Sequence, residues 1–131
     1  MVAKEDKYIP IVRWVGSKKR IIDKIIKNIP DEFNNYYEPF VGGAVVFLYM
    51  PIKNKAFLND NNMDVINLYK HIKKSPSELI KKVAKYEKTY LESKNKKEAF
   101  LDIRKKFNKL INNYSLERAA LYISINKTSF N

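Results

Sequence analysis

Two adjacent glycines and a later aspartate are the residues whose types and spacing could do chemistry. Gly42 and Gly43 follow the predicted strand residues Glu38-Pro39-Phe40, and Asp60 comes 18 residues after Gly42, at the end of a second predicted strand. A glycine turn between a strand and a helix lets the backbone approach a ligand, and the helix N-terminus directs N–H groups to the same place. A carboxylate after the next strand can accept hydrogen bonds from ribose hydroxyls. The pattern favours a nucleoside-containing ligand over the alternative, an ordinary packing corner.

The glycine turn also indicates which nucleoside ligand fits. The dinucleotide pattern G-x-G-x-x-G is absent, because the chain reads Gly42-Gly43-Ala44-Val45-Val46-Phe47. The triphosphate pattern G-x-x-x-x-G-K-[ST] does not occur either. Both patterns serve to bind phosphate groups. A ligand with a ribose and a base but no phosphates therefore fits the turn better than a dinucleotide or a triphosphate.

The first sixty residues contain the elements that would position these groups. Isoleucines recur at helical spacing behind a predicted N-cap at Ser17, and Pro30 ends that helix. Short strands are predicted at 36–40 and 55–58, with an apolar helix at 44–50 between them. Strand, glycine turn, helix and strand form one βαβ unit. The sequence therefore predicts the opening of a parallel α/β sheet.

The rest of the chain is predicted to be helical and strongly basic. Apolar stripes indicate helices on both sides of Ser75-Pro76-Ser77, and two more helices are predicted at about 97–111 and 116–126. The net charge of +12 and the pI of 9.7 favour a polyanionic partner such as nucleic acid. Only four of the 26 basic residues are arginine, so an AT-rich coding bias toward lysine, asparagine and isoleucine is an alternative source of the charge.

Several functional classes are disfavoured by the residues that the chain lacks. It has no cysteine and a single histidine, His71, so neither a disulfide framework nor a thiolate or histidine-pair metal site is expected. No stretch of the sequence has the roughly 18 uninterrupted apolar residues of a membrane span. We therefore expect a cytoplasmic protein that binds neither a membrane nor a metal ion.

Four sequence motifs resemble those of the Dam-type, D12-class DNA adenine methyltransferases, which use S-adenosylmethionine. The chain is similar to the family's P-x-x-W-x-G-x-K, E-P-F-x-G, N-D-x-N and N-K-T-x-F-N-G-L-x-R motifs, in that order. The matching segments are 10–18, 38–43, 58–62 and 125–131. The resemblance implies a Rossmann-like methyltransferase fold of the α/β class, of which this chain would hold the N-terminal half of the sheet and an inserted helical target-recognition region.

The resemblance also implies a role for several residues. Trp14 and Lys18 would contact S-adenosylmethionine, Phe40, Gly42 and Gly43 would contact its methionine portion, and Asp60 would hold the ribose. The alternative for Trp14 is a core position. The helical region would dock on double-stranded DNA, with Asn126 and Lys127 nearer the target site. Its candidate phosphate contacts are Lys81, Lys82, Lys85, Lys105, Lys106 and Lys109. For any single lysine the alternative is a solvated helix face.

The chain departs from the family pattern at two places. Ala44 stands where the family's F-x-G-x-G turn usually has its last glycine, and we expect the cofactor site to tolerate this. The catalytic D-P-P-Y motif, which polarises the amino group of a flipped adenine, is absent. The resemblance therefore implies an adenine-specific DNA methyltransferase chain that stops before its catalytic motif and is inactive alone, with no catalytic residue of its own.

The predicted division of the chain follows the motifs. Residues 1–62 would form the cofactor-binding α/β opening, and residues 63–131 the helical region that recognises DNA. Two other functions stay open at this stage. The chain could be a stand-alone basic helical module that binds nucleic acid, or one chain of a split methyltransferase whose second chain carries the catalytic motif.

Overall fold

The strand and helix pattern of the first part of the chain appears in a computed structural model that describes residues 8–129. Phe130 and Asn131, which belong to the fourth motif, lie outside the described residues. Intrachain contacts group the protein into two compact units, one up to Asn61 and one from Asn62 onward. Each unit has its own short set of elements.

The first unit contains two short parallel strands and two short helices among its described residues. A 3-10 turn at Lys18–Ile21 leads into helix α1 (Ile22–Lys27), and the hydroxyl of Ser17 accepts a hydrogen bond from the N–H of Lys19 at its start. The strands are β1 (Tyr36–Glu38) and β2 (Ala56–Leu58), and helix α2 (Val45–Tyr49) connects them. The strands pair in parallel. The predicted βαβ unit is therefore confirmed.

The two faces of this small sheet carry different aromatic contacts. Tyr37 lies opposite Phe57 in the register, and their rings stack with 4.8 Å between centroids. Both rings are exposed to solvent. Tyr36 points to the other face, where its ring lies 6.5 Å from that of Phe47 on α2. Because successive side chains of a strand alternate, the contact of Tyr36 with Phe47 lies on one face and the Tyr37–Phe57 pair on the other.

The second unit consists of four helices in its described residues. They are α3 (Met63–Lys74), α4 (Pro76–Glu92), α5 (Lys96–Lys109) and α6 (Leu116–Thr128). Polar residues begin three of them, since Asn62, Asn95 and Ser115 each accept a backbone N–H from the first turn of the helix. The α4 helix has Pro76 in its first turn, a position where the missing N–H costs nothing.

Helix α6 is the centre of this unit. It packs against α3, α4 and α5, and Ala119, Ala120 and Leu121 on it are almost completely buried. The small alanine side chains permit close approach of the neighbouring helices. The largest side chains buried beside it include Leu68 and Ile103. The stripes of apolar residues in the sequence therefore correspond to faces that pack around α6.

A buried arginine joins three of these helices. Arg118 on α6 forms a bidentate ion pair with Asp64 on α3. The Nε–Oδ1 and Nη2–Oδ2 distances are 2.6 and 2.9 Å. Its remaining Nη1 donates to the carbonyl oxygens of Phe107 and Leu110 at the end of α5. All three guanidinium nitrogens thus have hydrogen-bond acceptors, as a buried arginine requires.

Candidate functional site

The glycine turn that follows β1 is buried and tightly wound. Residues 41–45 are all buried, and the N–H of Ala44 donates to the carbonyl of Val41 over 2.7 Å. Gly42 has φ +45° and Ala44 has φ +55°, both in the left-handed region. This region suits glycine, so Ala44 adopts a conformation in which the family's usual glycine would be less strained.

Asp60 is hydrogen-bonded directly to the glycine turn. Its Oδ2 accepts the N–H of Gly42 over 2.9 Å. Two backbone hydrogen bonds join the same two segments. The N–H of Asn59 donates to the carbonyl of Glu38, and the carbonyl of Asn59 accepts from the N–H of Val41. The carboxyl ends of both strands therefore meet at one corner, where a backbone N–H and a carboxylate lie side by side.

Trp14 packs on the same turn. A Cβ atom on Gly42 would lie 2.6 Å from Nε1 of Trp14, and one on Gly43 would lie 3.3 Å from its Cβ. No side chain larger than hydrogen fits at Gly42 unless the indole moves. The glycine at this position is therefore required both by its backbone conformation and by the close approach of Trp14.

The structure brings together four of the six residues predicted to bind the cofactor, namely Trp14, Gly42, Gly43 and Asp60. Phe40, the residue before the turn, is 83% exposed and therefore available to a ligand. The exposed ammonium of Lys18 donates to the carbonyl of Gly16 over 3.0 Å. The contacts that define the corner belong to the other four residues.

Glu38 is a residue of this corner to which the motifs assigned no role. Its carboxylate accepts the hydroxyl of Tyr36 over 2.9 Å and the backbone N–H of Phe47 in the first turn of α2. Burial raises the pKa of Glu38 above its ordinary value, and these two hydrogen bonds oppose that rise only in part. The side chain therefore links the end of β1 to the start of α2, on both sides of the glycine turn.

The predicted DNA contacts lie on the helical unit, in different environments. The side chains of Lys81, Lys85, Lys105, Lys106, Lys109 and Lys127 are exposed, and Asn126 is half-buried. Lys82 is half-buried and its ammonium lies 2.5 Å from Oε2 of Glu117. The lysines of this region thus include both open side chains and one that is engaged by a carboxylate.

Two further properties of the described residues bear on function. Residues 8–129 contain no group of three or more histidine, aspartate or glutamate side chains arranged to bind a metal ion. None of the helices described in this range has the length and apolar character needed to cross a membrane.

Comparison with known proteins shows one family. Residues 14–131 match the family model for D12 class N6 adenine-specific DNA methyltransferase. The type II methyltransferase M.MjaIII of Methanocaldococcus jannaschii is 32% identical over 133 residues, which cover 93% of this chain and 46% of that protein. The DNA adenine methylase of Vibrio cholerae is 32% identical over 120 residues, or 92% of this chain and 41% of that protein.

A third relative gives the same picture. The type II methyltransferase M1.LlaDCHI of Lactococcus lactis subsp. cremoris is 30% identical over 93% of this chain and 42% of its own length. The chain spans less than half the length of each of these relatives. Since the family model covers nearly the whole chain, the protein belongs to the D12 class of N6 adenine-specific DNA methyltransferases.

Proposed function

We propose that this chain binds S-adenosylmethionine at the glycine turn and takes part in methyl transfer to the exocyclic amino group of adenine in double-stranded DNA. The observation that carries the proposal is the hydrogen bond from the N–H of Gly42 to Asp60, under the indole of Trp14. This bond supports the proposal because it brings the carboxylate of Asp60 against the backbone N–H of Gly42, the two groups to which we assign the ribose and the methionine portion.

The chemistry of the corner fits S-adenosylmethionine. Asp60 is half-buried and offers carboxylate oxygens to ribose hydroxyls. Gly42 and Gly43 have no Cβ, so their backbone can approach a ligand closely. The cationic end of Lys18 suits a carboxylate, and the exposed ring of Phe40 suits an apolar or cationic group. Bound S-adenosylmethionine supplies an electrophilic methyl group.

This chain's own part in the reaction would be binding and orientation. Asp60 would fix the ribose through hydrogen bonds, and the packing of Trp14 on Gly42 would keep the turn in one conformation. The family's acidic Asp-Pro-Pro-Tyr motif occurs nowhere in the 131 residues. We therefore propose that the groups that polarise adenine come from outside these residues, in a second chain or a further segment, and that the 131-residue chain alone binds without turnover.

The same proposal assigns a role to each part of the chain. Residues 1–62 would be the cofactor-binding opening of a Rossmann-like sheet, and residues 63–131 the helical region that contacts DNA. Lys105 and Lys109 are exposed and can reach phosphates, whereas Asn126 and Lys127 would lie nearer the target base. Because the substrate would be DNA, we place the activity in the cytoplasm.

Calorimetry with S-adenosylhomocysteine, the demethylated product, tests the cofactor site. We expect the wild type to bind it and Asp60→Asn to bind at least tenfold more weakly, because the amide can still accept the Gly42 N–H but accepts ribose hydroxyls less strongly. Asp31→Asn is the matched control, since Asp31 is an exposed acid in the same unit and should leave binding unchanged. Equal affinities of the three proteins would contradict the proposal.

A further inference from the structure

One carboxylate in the helical unit is held by several groups from a neighbouring helix. Glu117, in the first turn of α6, accepts the ammonium of Lys82 at 2.5 Å on Oε2. Its other oxygen, Oε1, accepts the hydroxyl of Tyr86, also on α4. The side chain of Glu117 is therefore occupied at both oxygens by donors that project from one neighbouring helix.

Two more lysines lie close to this group. The charge of Lys85 acts on Glu117, and the ammonium of Lys106 on α5 lies 5.7 Å from the centre of the Tyr86 ring. Burial raises the pKa of Glu117, but the hydrogen bonds from Lys82 and Tyr86, with the charges of Lys82 and Lys85, outweigh it and lower the pKa overall. Glu117 is therefore ionised at neutral pH, among more cations than it can neutralise.

The ion pair is open to solvent on one side. The side chain of Lys82 is 42% exposed and that of Glu117 is 36% exposed. A phosphate oxygen and a carboxylate oxygen accept hydrogen bonds from ammonium and hydroxyl groups in the same way. An anion arriving from solvent can thus compete with Glu117 for the Lys82 ammonium, whereas Tyr86 is buried.

We infer that Glu117 is an internal competitor for DNA phosphate at a site formed by Lys82 and Lys85, and that it limits sequence-independent binding to DNA. The inference rests on the proposed function, because it takes DNA as the ligand. Sequence-independent affinity for DNA comes from cationic contacts to phosphate, so a carboxylate that occupies such a contact lowers that affinity.

The test uses Glu117→Gln, which removes the charge and keeps an oxygen that accepts from Lys82 or Tyr86. Affinity is measured by fluorescence anisotropy on a duplex of G·C pairs only, which contains no adenine, between 0.05 and 0.3 M salt. Freeing one lysine for a phosphate should steepen the slope of log K against log salt by about 0.9 and raise affinity roughly fivefold to tenfold at 0.1 M.

Glu92→Gln is the matched control. Glu92 lies on α4, pairs with Lys88 at 3.7 Å, and is 67% exposed, so its removal makes the same change in net charge at a loose surface pair. We expect less than a twofold change in its affinity. Lys82→Ala alone should likewise change the DNA affinity little, because Glu117 already holds this lysine. In the double variant, Lys82→Ala should abolish the gain in affinity that Glu117→Gln produces.

The outcomes separate this inference from the proposed function. If the wild type binds the duplex and Glu117→Gln binds no more tightly than Glu92→Gln, the competitor role is overturned while DNA binding stands. If none of the proteins binds the duplex, the competitor role and the proposed DNA contacts of the helical region are overturned, whereas cofactor binding at the glycine turn is decided by the calorimetry described above. Loss of helical circular dichroism in Glu117→Gln would also overturn the inference, because the carboxylate would then be a structural requirement of the helices.

Discussion

At the scale of single residues, Gly42 carries two independent constraints. Its φ of +45° lies in the left-handed region, and the indole of Trp14 occupies the space where a side chain would begin. Gly16 shares only the first constraint, because its φ is +72° and nothing lies within 4 Å of a Cβ built there. Substitutions at the two glycines can therefore distinguish the free-energy cost of a left-handed backbone from the cost of a steric clash with Trp14.

Gly42→Ala should lower the free energy of unfolding by about 2–4 kcal/mol, from left-handed backbone strain together with displacement of the indole. Gly16→Ala should lower it by only about 1 kcal/mol, through the backbone strain alone. Urea unfolding followed by circular dichroism measures both. Equal losses of unfolding free energy in the two variants would show that the indole of Trp14 moves aside at no cost and does not hold the turn.

Residue identities predicted only part of this corner. The spacing of Gly42 and Asp60 and the match of Trp14 to the first motif were visible in the sequence, and the structure places these residues together. The role of Glu38 was not visible, because its acceptance of the Phe47 N–H depends on how α2 begins. Residue type and spacing do not specify which backbone N–H a carboxylate at the end of a strand will accept.

At the scale of elements, local patterns predicted the helices and strands well. The predicted parallel βαβ unit is confirmed by the register that pairs Tyr37 with Phe57. The ends differ by a few residues for physical reasons. Strand β1 ends at Glu38, whose carbonyl accepts the N–H of Asn59, because the chain then enters the glycine turn. Helix α2 begins at Val45 because Ala44 has left-handed backbone.

Long-range pairs between elements could not be predicted in the same way. Arg118 and Asp64 are 54 residues apart, and Lys82 and Glu117 are 35 residues apart. Apolar periodicity indicates which face of a helix is buried, but it does not specify which neighbouring helix supplies the partner of a charged group. One lysine predicted as a phosphate contact, Lys82, therefore proved to be engaged within the protein.

The Arg118 cluster should be the main electrostatic support of the helical unit. Arg118→Met leaves the Asp64 carboxylate and two carbonyl groups without their donors, and should lower the free energy of unfolding by about 3 kcal/mol or more. Lys88→Met removes the exposed pair with Glu92 and should change it by about 0.5 kcal/mol or less. Chemical denaturation that gave similar losses for both would contradict a special role for the buried arginine.

The stabilisation from the ion pair between Lys82 on α4 and Glu117 on α6 should also depend on pH. Folding lowers the pKa of Glu117, so its ionised form stabilises the folded state above the ordinary value of 4.5. That stabilisation is lost as the pH falls through the lower, folded-state pKa. Thermal unfolding should show the advantage of wild type over Glu117→Gln near pH 7 and its decrease below about pH 4. An advantage that grew on acidification would contradict this sign.

At the scale of the whole molecule, the 131 residues combine the glycine turn and its corner with a basic helical region and contain no Asp-Pro-Pro-Tyr sequence. We expect the chain alone to transfer no label from tritiated S-adenosylmethionine to an adenine-containing duplex. The DNA adenine methylase of Vibrio cholerae, to which the chain is 32% identical, serves as the positive control in the same buffer. Sustained incorporation by the 131-residue chain would show that it has another way to activate adenine.

The central claim is that S-adenosylmethionine binds at the corner of Gly42, Gly43, Asp60 and Trp14. The chain has one tryptophan and three glycines, so their amide and indole signals are readily resolved in a nitrogen–proton NMR spectrum. Addition of S-adenosylhomocysteine should shift the amides of Gly42 and Gly43 and the indole N–H of Trp14, and Asp60→Asn should suppress these shifts at the same ligand concentration. Binding that left these three signals unmoved would place the cofactor elsewhere and contradict the claim.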